Sequence, residues 1–393
     1  MTNNKTSCFV PALVFLFALA VRLVYLLEFQ DNPYFDYVPA DWDQAWYDRA
    51  ARDFAAGDYF LLHSPPTQFS YLYKFFLGAV YWLTGRNFFL IWSAQFLAGA
   101  LSVLLVYGIA ARLFDRKIAV LSSLLFAVYG PEIFYEGVLY REFLVVLFTL
   151  LSCYALLLYA GRRDRASLAF AGLSFALLIL CRPNMILLGP FIYVFLGSAG
   201  KTSAHTESAR KPAFFFACAV AISLFPLVLH MVYLQKHFVF LDSSGPRTLL
   251  LGNLPEYPGK EWLPQYYRSY AEQVGGEPQS YTGALRYLLS KIAGDPLGFA
   301  GLYVRKIFYF FNNYEVPSSM NYYLMSGFSR VLSSPLSSFS IYGVLGALGM
   351  VLLAGQWERF RILYLFSAGI LVSVCLFYIT ARFRIPIVPF LMM

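Results

Sequence analysis

What most constrains this chain is a recurrence of apolar runs, many close to the roughly 20 residues that cross a bilayer as a helix. Helices are expected near 8–27, 88–111, 118–134, 141–160, 167–181, 185–197, 213–234, 336–355 and 362–380. Backbone buried in hydrocarbon must satisfy its own hydrogen bonds, so these runs predict a helix bundle and not open sheets. Composition agrees: 59% of the 393 residues are hydrophobic and 13% are charged, against about 25% charged in soluble proteins. The expected fold is an all-α polytopic membrane protein, a single domain over 1–393.

The charge pattern sets a topology. The net charge of +8 lies in short clusters between apolar runs (Arg112, Arg116, Lys117; Arg162, Arg163, Arg165; Lys201, Arg210, Lys211; Arg359, Arg361), which speaks against a nucleic-acid face. With the N-terminus inside, loops 112–117, 161–166, 198–212 and 356–361 all fall inside, as the positive-inside rule requires. The fifth and sixth helices are short, split by Arg182-Pro183-Asn184, and read as a hairpin that need not cross fully. The stretch 299–311, with Arg305-Lys306 at its centre, reads as interfacial; if it spans, the last two helices invert. Ala18-Leu19-Ala20 imitates a cleavage site, but the run continues through Leu27, which favours an uncleaved first helix. The run at 389–393 looks like the start of a further helix, as in a fragment of a longer chain. The five cysteines form no CxxC pair and read as small core residues.

This topology puts five features that carry carboxylates or arginines outside. They fall in the first external loop, 28–87; in 130–142, with Glu132, Glu136, Arg141 and Glu142; at Arg182; in the long loop 235–335; and at Arg382 and Arg384. Asp41–Phe54 reads as an interfacial amphipathic helix, with Trp42, Trp46, Ala50 and Phe54 recurring every four residues and Asp48, Arg49, Arg52 and Asp53 elsewhere. Asp41 and Gln44 fit a capping box. Asp43 then either complements the helix dipole or acts as a general base toward a hydroxyl. His63, ahead of Pro65-Pro66, is either structural or a ligand. Glu142 opens an apolar helix, where an ion needs a partner such as Arg141 or Arg182. Arg182, Arg382 and Arg384 are candidate phosphate anchors, with Lys306 and Arg247 weaker; the competing role for each is snorkelling to headgroups. GxGxxG, Walker A, HExxH and GxSxG are absent from the sequence, so nucleotide-driven and common hydrolase chemistries lack support.

The order of Asp43-x-x-x-Tyr47, His63-Ser64-Pro65-Pro66, Tyr140-Arg141-Glu142, Cys181-Arg182-Pro183 and Ala381–Pro386 resembles the GT-C membrane glycosyltransferases, in the branch of the protein O-mannosyltransferases and lipid A aminoarabinose transferases. The resemblance implies hexosyl or pentosyl transfer from a polyprenyl-phosphate donor on the extracytoplasmic face, by a single inverting displacement, in a membrane such as the bacterial plasma membrane. The acceptor would be a lipid, glycan or protein. Asp43 matches the catalytic base, and Glu142 the second acid that helps hold donor phosphate or metal. Arg182, Arg382 and Arg384 would steady the leaving phosphate, with Arg141 and Lys306 beside them. Tyr47 and His63 are substrate or metal contacts. The aminoarabinose branch carries a carboxylate where this chain has His63, which leaves a divalent metal open, with His63 and Glu142 as its candidates. A transporter or flippase would instead predict an inverted repeat of broken helices, which the sequence does not display. An oligosaccharide ligase or polymerase would share the external arginines without needing an acidic first loop, and a non-catalytic scaffold would need neither.

Overall fold

The computed structural model describes residues 5–40, 42–63, 70–199, 210–234, 244–254, 258, 260, 281–318 and 320–393. Helix α1 (Lys5–Gln30) is followed by two helices of the segment 28–87, α2 (Asp43–Ala55) and α3 (Tyr71–Thr84). Then come α4 (Phe88–Leu113), α5 (Arg116–Ala127), α6 (Gly130–Glu136), α7 (Glu142–Arg162) and α8 (Arg165–Cys181). A 3-10 turn over Pro183–Leu188 leads into α9 (Gly189–Ala199), and α10 (Arg210–Leu229) ends in a π-turn over His230–Leu234. The segment 235–335 holds α11 (Gly245–Gly252), α12 (Tyr281–Gly294), α13 (Pro296–Phe311) and α14 (Tyr322–Ser326). The chain closes with α15 (Phe339–Leu353), α16 (Trp357–Cys375), α17 (Ala381–Arg384) and α18 (Val388–Met392). Among the described residues the only β pairing is one isolated bridge, Lys260 to Ile379.

Among the described residues, five runs are long and apolar enough to cross a membrane: Phe9–Gln30, α4, α7, Arg210–Leu234 and Phe339–Cys375. The last run is folded in two. A continuous helix would separate Met350 from Tyr364 by about 21 Å, yet the Tyr364 hydroxyl donates to the Met350 carbonyl at 2.5 Å. The chain therefore reverses at 354–356, and α15 and α16 are the two helices expected there. Apolar side chains on α1, α10 and α15, such as Phe9, Ile222 and Val351, remain exposed, as lipid-facing positions should. The buried core centres on α4, α6, α7 and α8.

The basic turns are tight because acids cap them. Asp115 accepts from the Ile118 amide at 2.9 Å and starts α5. Asp164 accepts from the Ser167 amide at 2.7 Å and starts α8, directly after Arg163 in the left-handed region at φ 57°.

Two expectations change. The helix expected over 118–134 is broken at Val128–Tyr129 and bends by 54°. Pro131 has no amide hydrogen and clashes with the carbonyl four residues back, so the helix cannot continue through it. The segment 28–87 holds a second helix, α3, beyond α2. At 14 residues it is too short to register as a span, and its amphipathic face is covered by α2, where Gly78 makes room for the Phe54 ring. The helix around 299–311 forms as α13, capped by Asp295, with Leu302, Lys306 and Phe310 on its buried face.

Candidate active site

Helix α2 starts at Asp43, with Trp42 in the cap position and no side-chain cap. The helix thus begins one residue later than a cap at Asp41 requires, and Asp41 itself lies outside the described residues. Tyr47 and Asp48 face the protein, whereas Trp42 and Trp46 face outward. Asp48, expected on the polar side, is buried: it accepts from Tyr81 Oη at 2.7 Å and Arg86 Nε at 2.8 Å, and pairs with Arg52. Its role is to fasten α2 to α3.

With α2 held in this way, its first residue meets the end of the chain. Asp43 Oδ2 lies 3.1 Å from Arg382 Nη2, with the aspartate side chain 30% exposed and the arginine 8%. The Arg382 guanidinium stands over the Tyr140 ring at 4.6 Å and the Phe383 ring at 5.1 Å. Arg182 lies over Phe383 as well, at 4.7 Å, so two guanidiniums share that ring. Arg182 also forms a buried ion pair with Glu142, which decides between the two partners expected for this acid. Arg141 instead reaches the Tyr47 hydroxyl at 3.4 Å, which also accepts from the Ser70 amide at 3.3 Å.

The cluster thus draws on α2, the turn between α6 and α7, the end of α8, and α17. Among the described residues it sets three guanidiniums (Arg141, Arg182, Arg382) against two carboxylates (Asp43, Glu142). Burial, opposed by Glu142 and reinforced by Arg141 and Arg382, brings Arg182 down to about 10, so it is still cationic at neutral pH. Burial pushes the Tyr47 phenol up to about 12, leaving it a neutral hydrogen-bonding hydroxyl. Among the described residues, Arg182 Nε and Nη1, Arg382 Nε and Glu142 Oε2 are buried without a hydrogen-bond partner. Buried guanidinium N–H groups left open in this way suit an anion with several acceptor oxygens.

The other expected residues stand elsewhere. Arg384 pairs with buried Glu315, donates to the Asn312 carbonyl at 2.5 Å and lies over the Phe339 ring, fastening the segment 235–335 to the C-terminal helices. Lys306 Nζ donates to Asn253 Oδ1 at 2.9 Å and the Cys375 carbonyl at 3.0 Å. Arg247 lies in α11, in the same segment. His63 is exposed and its Nδ1 sits 3.0 Å from Asp58; Ser64, Pro65 and Pro66 lie outside the described residues. The two metal candidates therefore have different partners, His63 with Asp58 and Glu142 with Arg182. Among the described residues no group of three or more His, Cys, Asp or Glu is placed to hold a metal.

Against known proteins, the profile of the dolichyl-phosphate-mannose-protein mannosyltransferase family matches residues 66–230. The structure superposes on the Archaeoglobus fulgidus oligosaccharyltransferase in its apo form with a TM-score of 0.58 at 13% identity, over 99% of this chain and 50% of the other. The form of that enzyme with Zn and sulfate gives 0.55 at 13% identity, over 98% and 48%. AglB from the same organism, bound to an inhibitory peptide and a dolichol-phosphate, gives 0.54 at 12% identity, over 99% and 50%. The chain thus shares the fold of this oligosaccharyltransferase, and its residues 66–230 are similar to the mannosyltransferase family. It spans about half the length of the solved structures it matches, and no curated protein matches it significantly. The matched region contains Arg141, Glu142 and Arg182, while Asp43 and Arg382 lie outside it on either side.

Proposed function

We propose that this chain transfers a sugar from a polyprenyl-phosphate-linked donor to an acceptor hydroxyl. The single observation that carries the reading is the Asp43–Arg382–Phe383–Arg182–Glu142 array, in which a carboxylate open to solvent adjoins two guanidiniums with unfilled donors. Asp43 takes the proton from the acceptor hydroxyl. The acceptor oxygen bonds to the anomeric carbon as the carbon–oxygen bond to phosphate breaks, and the polyprenyl phosphate leaves with that electron pair. Arg182 and Arg382 hold the phosphate as its charge grows. A single displacement of this kind inverts the anomeric centre. Because Arg382 touches Asp43 through Nη2 and has Nε free for phosphate, one planar group ties the base to the leaving group. The matched family and AglB with its dolichol-phosphate support a lipid-linked donor. The site end lies opposite the basic turns 112–117 and 161–166, which supports an extracytoplasmic orientation.

The test is transfer from a polyprenyl-phosphate sugar in membranes containing the full chain. Asp43→Asn keeps the shape and removes the base, and it should cost at least about 100-fold in rate. A wild-type rate in that variant would overturn the assignment of the base.

A further inference from the structure

The turn that carries Arg141 and Glu142 is irregular backbone in the interior of the bundle, and it is held by residues with no direct place in the proposed chemistry. Arg22 on α1 grips Glu136, the last residue of α6, through Nε at 2.7 Å and Nη2 at 2.6 Å, with both side chains fully buried. Its Nη1 lies 3.4 Å from the Ala127 carbonyl, one of those freed where α5 breaks. Gly99 makes this grip possible, because a Cβ there would overlap the Glu136 carboxylate. From the other side, Gln95 Nε2 donates to the Glu136 carbonyl at 2.5 Å and the Val138 carbonyl at 3.1 Å. The Gln95 amide is itself oriented by the Tyr73 hydroxyl at 2.7 Å.

We infer that Arg22, Glu136 and Gln95 are positioning residues that set where Arg141 and Glu142 stand in the site. The inference rests on the phosphate-holding reading of Arg182 and Glu142 above. The physical reason is that carbonyls in an apolar interior have no water to turn to. Two donors on the turn, with a bidentate ion pair just before it, select one backbone arrangement, and Glu142 Oε1 meets Arg182 only from there. Glu132 provides the contrast. It lies one helical turn before Glu136, equally buried, and neither of its oxygens has a hydrogen-bond partner among the described residues.

The experiment uses the full chain in detergent, with polyprenyl phosphate in the micelles as the probe and thermal melting measured beside binding. Gln95→Met keeps the volume and removes the donor. It should melt close to wild type and bind the probe about tenfold more weakly, equivalent to ~1.4 kcal/mol. Glu132→Gln should bind as wild type. Unchanged binding in a folded Gln95→Met protein overturns the inference. If Gln95→Met does not fold, Arg22→Lys, which keeps the charge but loses the bidentate fork, is read in the same way. Arg182→Ala separates the two levels. If it loses binding while Gln95→Met does not, the positioning role alone fails. If Arg182→Ala binds as wild type, the phosphate reading fails and takes the positioning role with it.

Discussion

Of the three arginines at the ends of apolar runs, only Arg182 and Arg382 share the site, although Arg384 is two residues from Arg382. Successive side chains on the short helix α17 point in different directions: Arg382 toward Asp43, and Arg384 toward Glu315. Lys306 is likewise directed by local geometry, into a buried pocket formed by Asn253, Tyr303 and the Cys375 carbonyl. Burial there brings its ammonium down to about 7. Its unfolded value is higher, near 10.5, so between these limits the unfolded chain binds more protons and stability rises with pH. The melting temperature of the purified chain should accordingly climb from pH 7 toward pH 9.5, and Lys306→Met should flatten that climb. An equal climb in the variant would assign it to other groups.

At the scale of elements, α2 matters because it carries Asp43, and α2 is held by one buried acid. Asp48 takes hydrogen bonds from Tyr81 and Arg86 on the α3 side. Removing its charge should cost about 2 kcal/mol, in the range for hydrogen bonds to ionised groups. Asp48→Asn should therefore lower the melting temperature and expose the α2–α3 connection to limited proteolysis before the rest of the bundle. Unchanged protection would mean that apolar contacts such as Phe54 against Gly78 are sufficient. The break between α5 and α6 is the other decisive element. Pro131 frees the backbone at the bend, and Arg22 from α1 takes up one of the exposed carbonyls.

For the whole molecule, helix packing brings residues from the two ends of the chain to one end of the bundle. Asp43 and Arg382 are in contact, while the turns at Asp115 and Asp164 lie at the other end, where Arg359 Nε also meets the Leu113 carbonyl at 2.8 Å. Single cysteines replacing Asp36 and Arg163, both exposed, should take a membrane-impermeant maleimide from opposite faces, Asp36→Cys from outside intact cells. Labelling of both from the same face would contradict the orientation behind the proposed function.

Spans, basic turns and the candidate chemistry were legible in the sequence, because hydrocarbon length, clustered charge and the types of ionisable residue are properties of short stretches. Asp43, Arg141, Glu142, Arg182 and Arg382 could be singled out on those grounds. Their pairing could not. Glu142 had two plausible partners, and the choice of Arg182 depends on how the α6–α7 turn is held by Gln95 and the Arg22–Glu136 pair. Arg22 and Gln95 gave no local signal, since one polar residue in an apolar helix reads the same whether it faces lipid, water or a partner. Asp48 looked solvated because helical periodicity identifies a face without saying what covers it. An ion pair between residues 43 and 382 depends on how helices far apart in the sequence stack, and only the tertiary structure decides that.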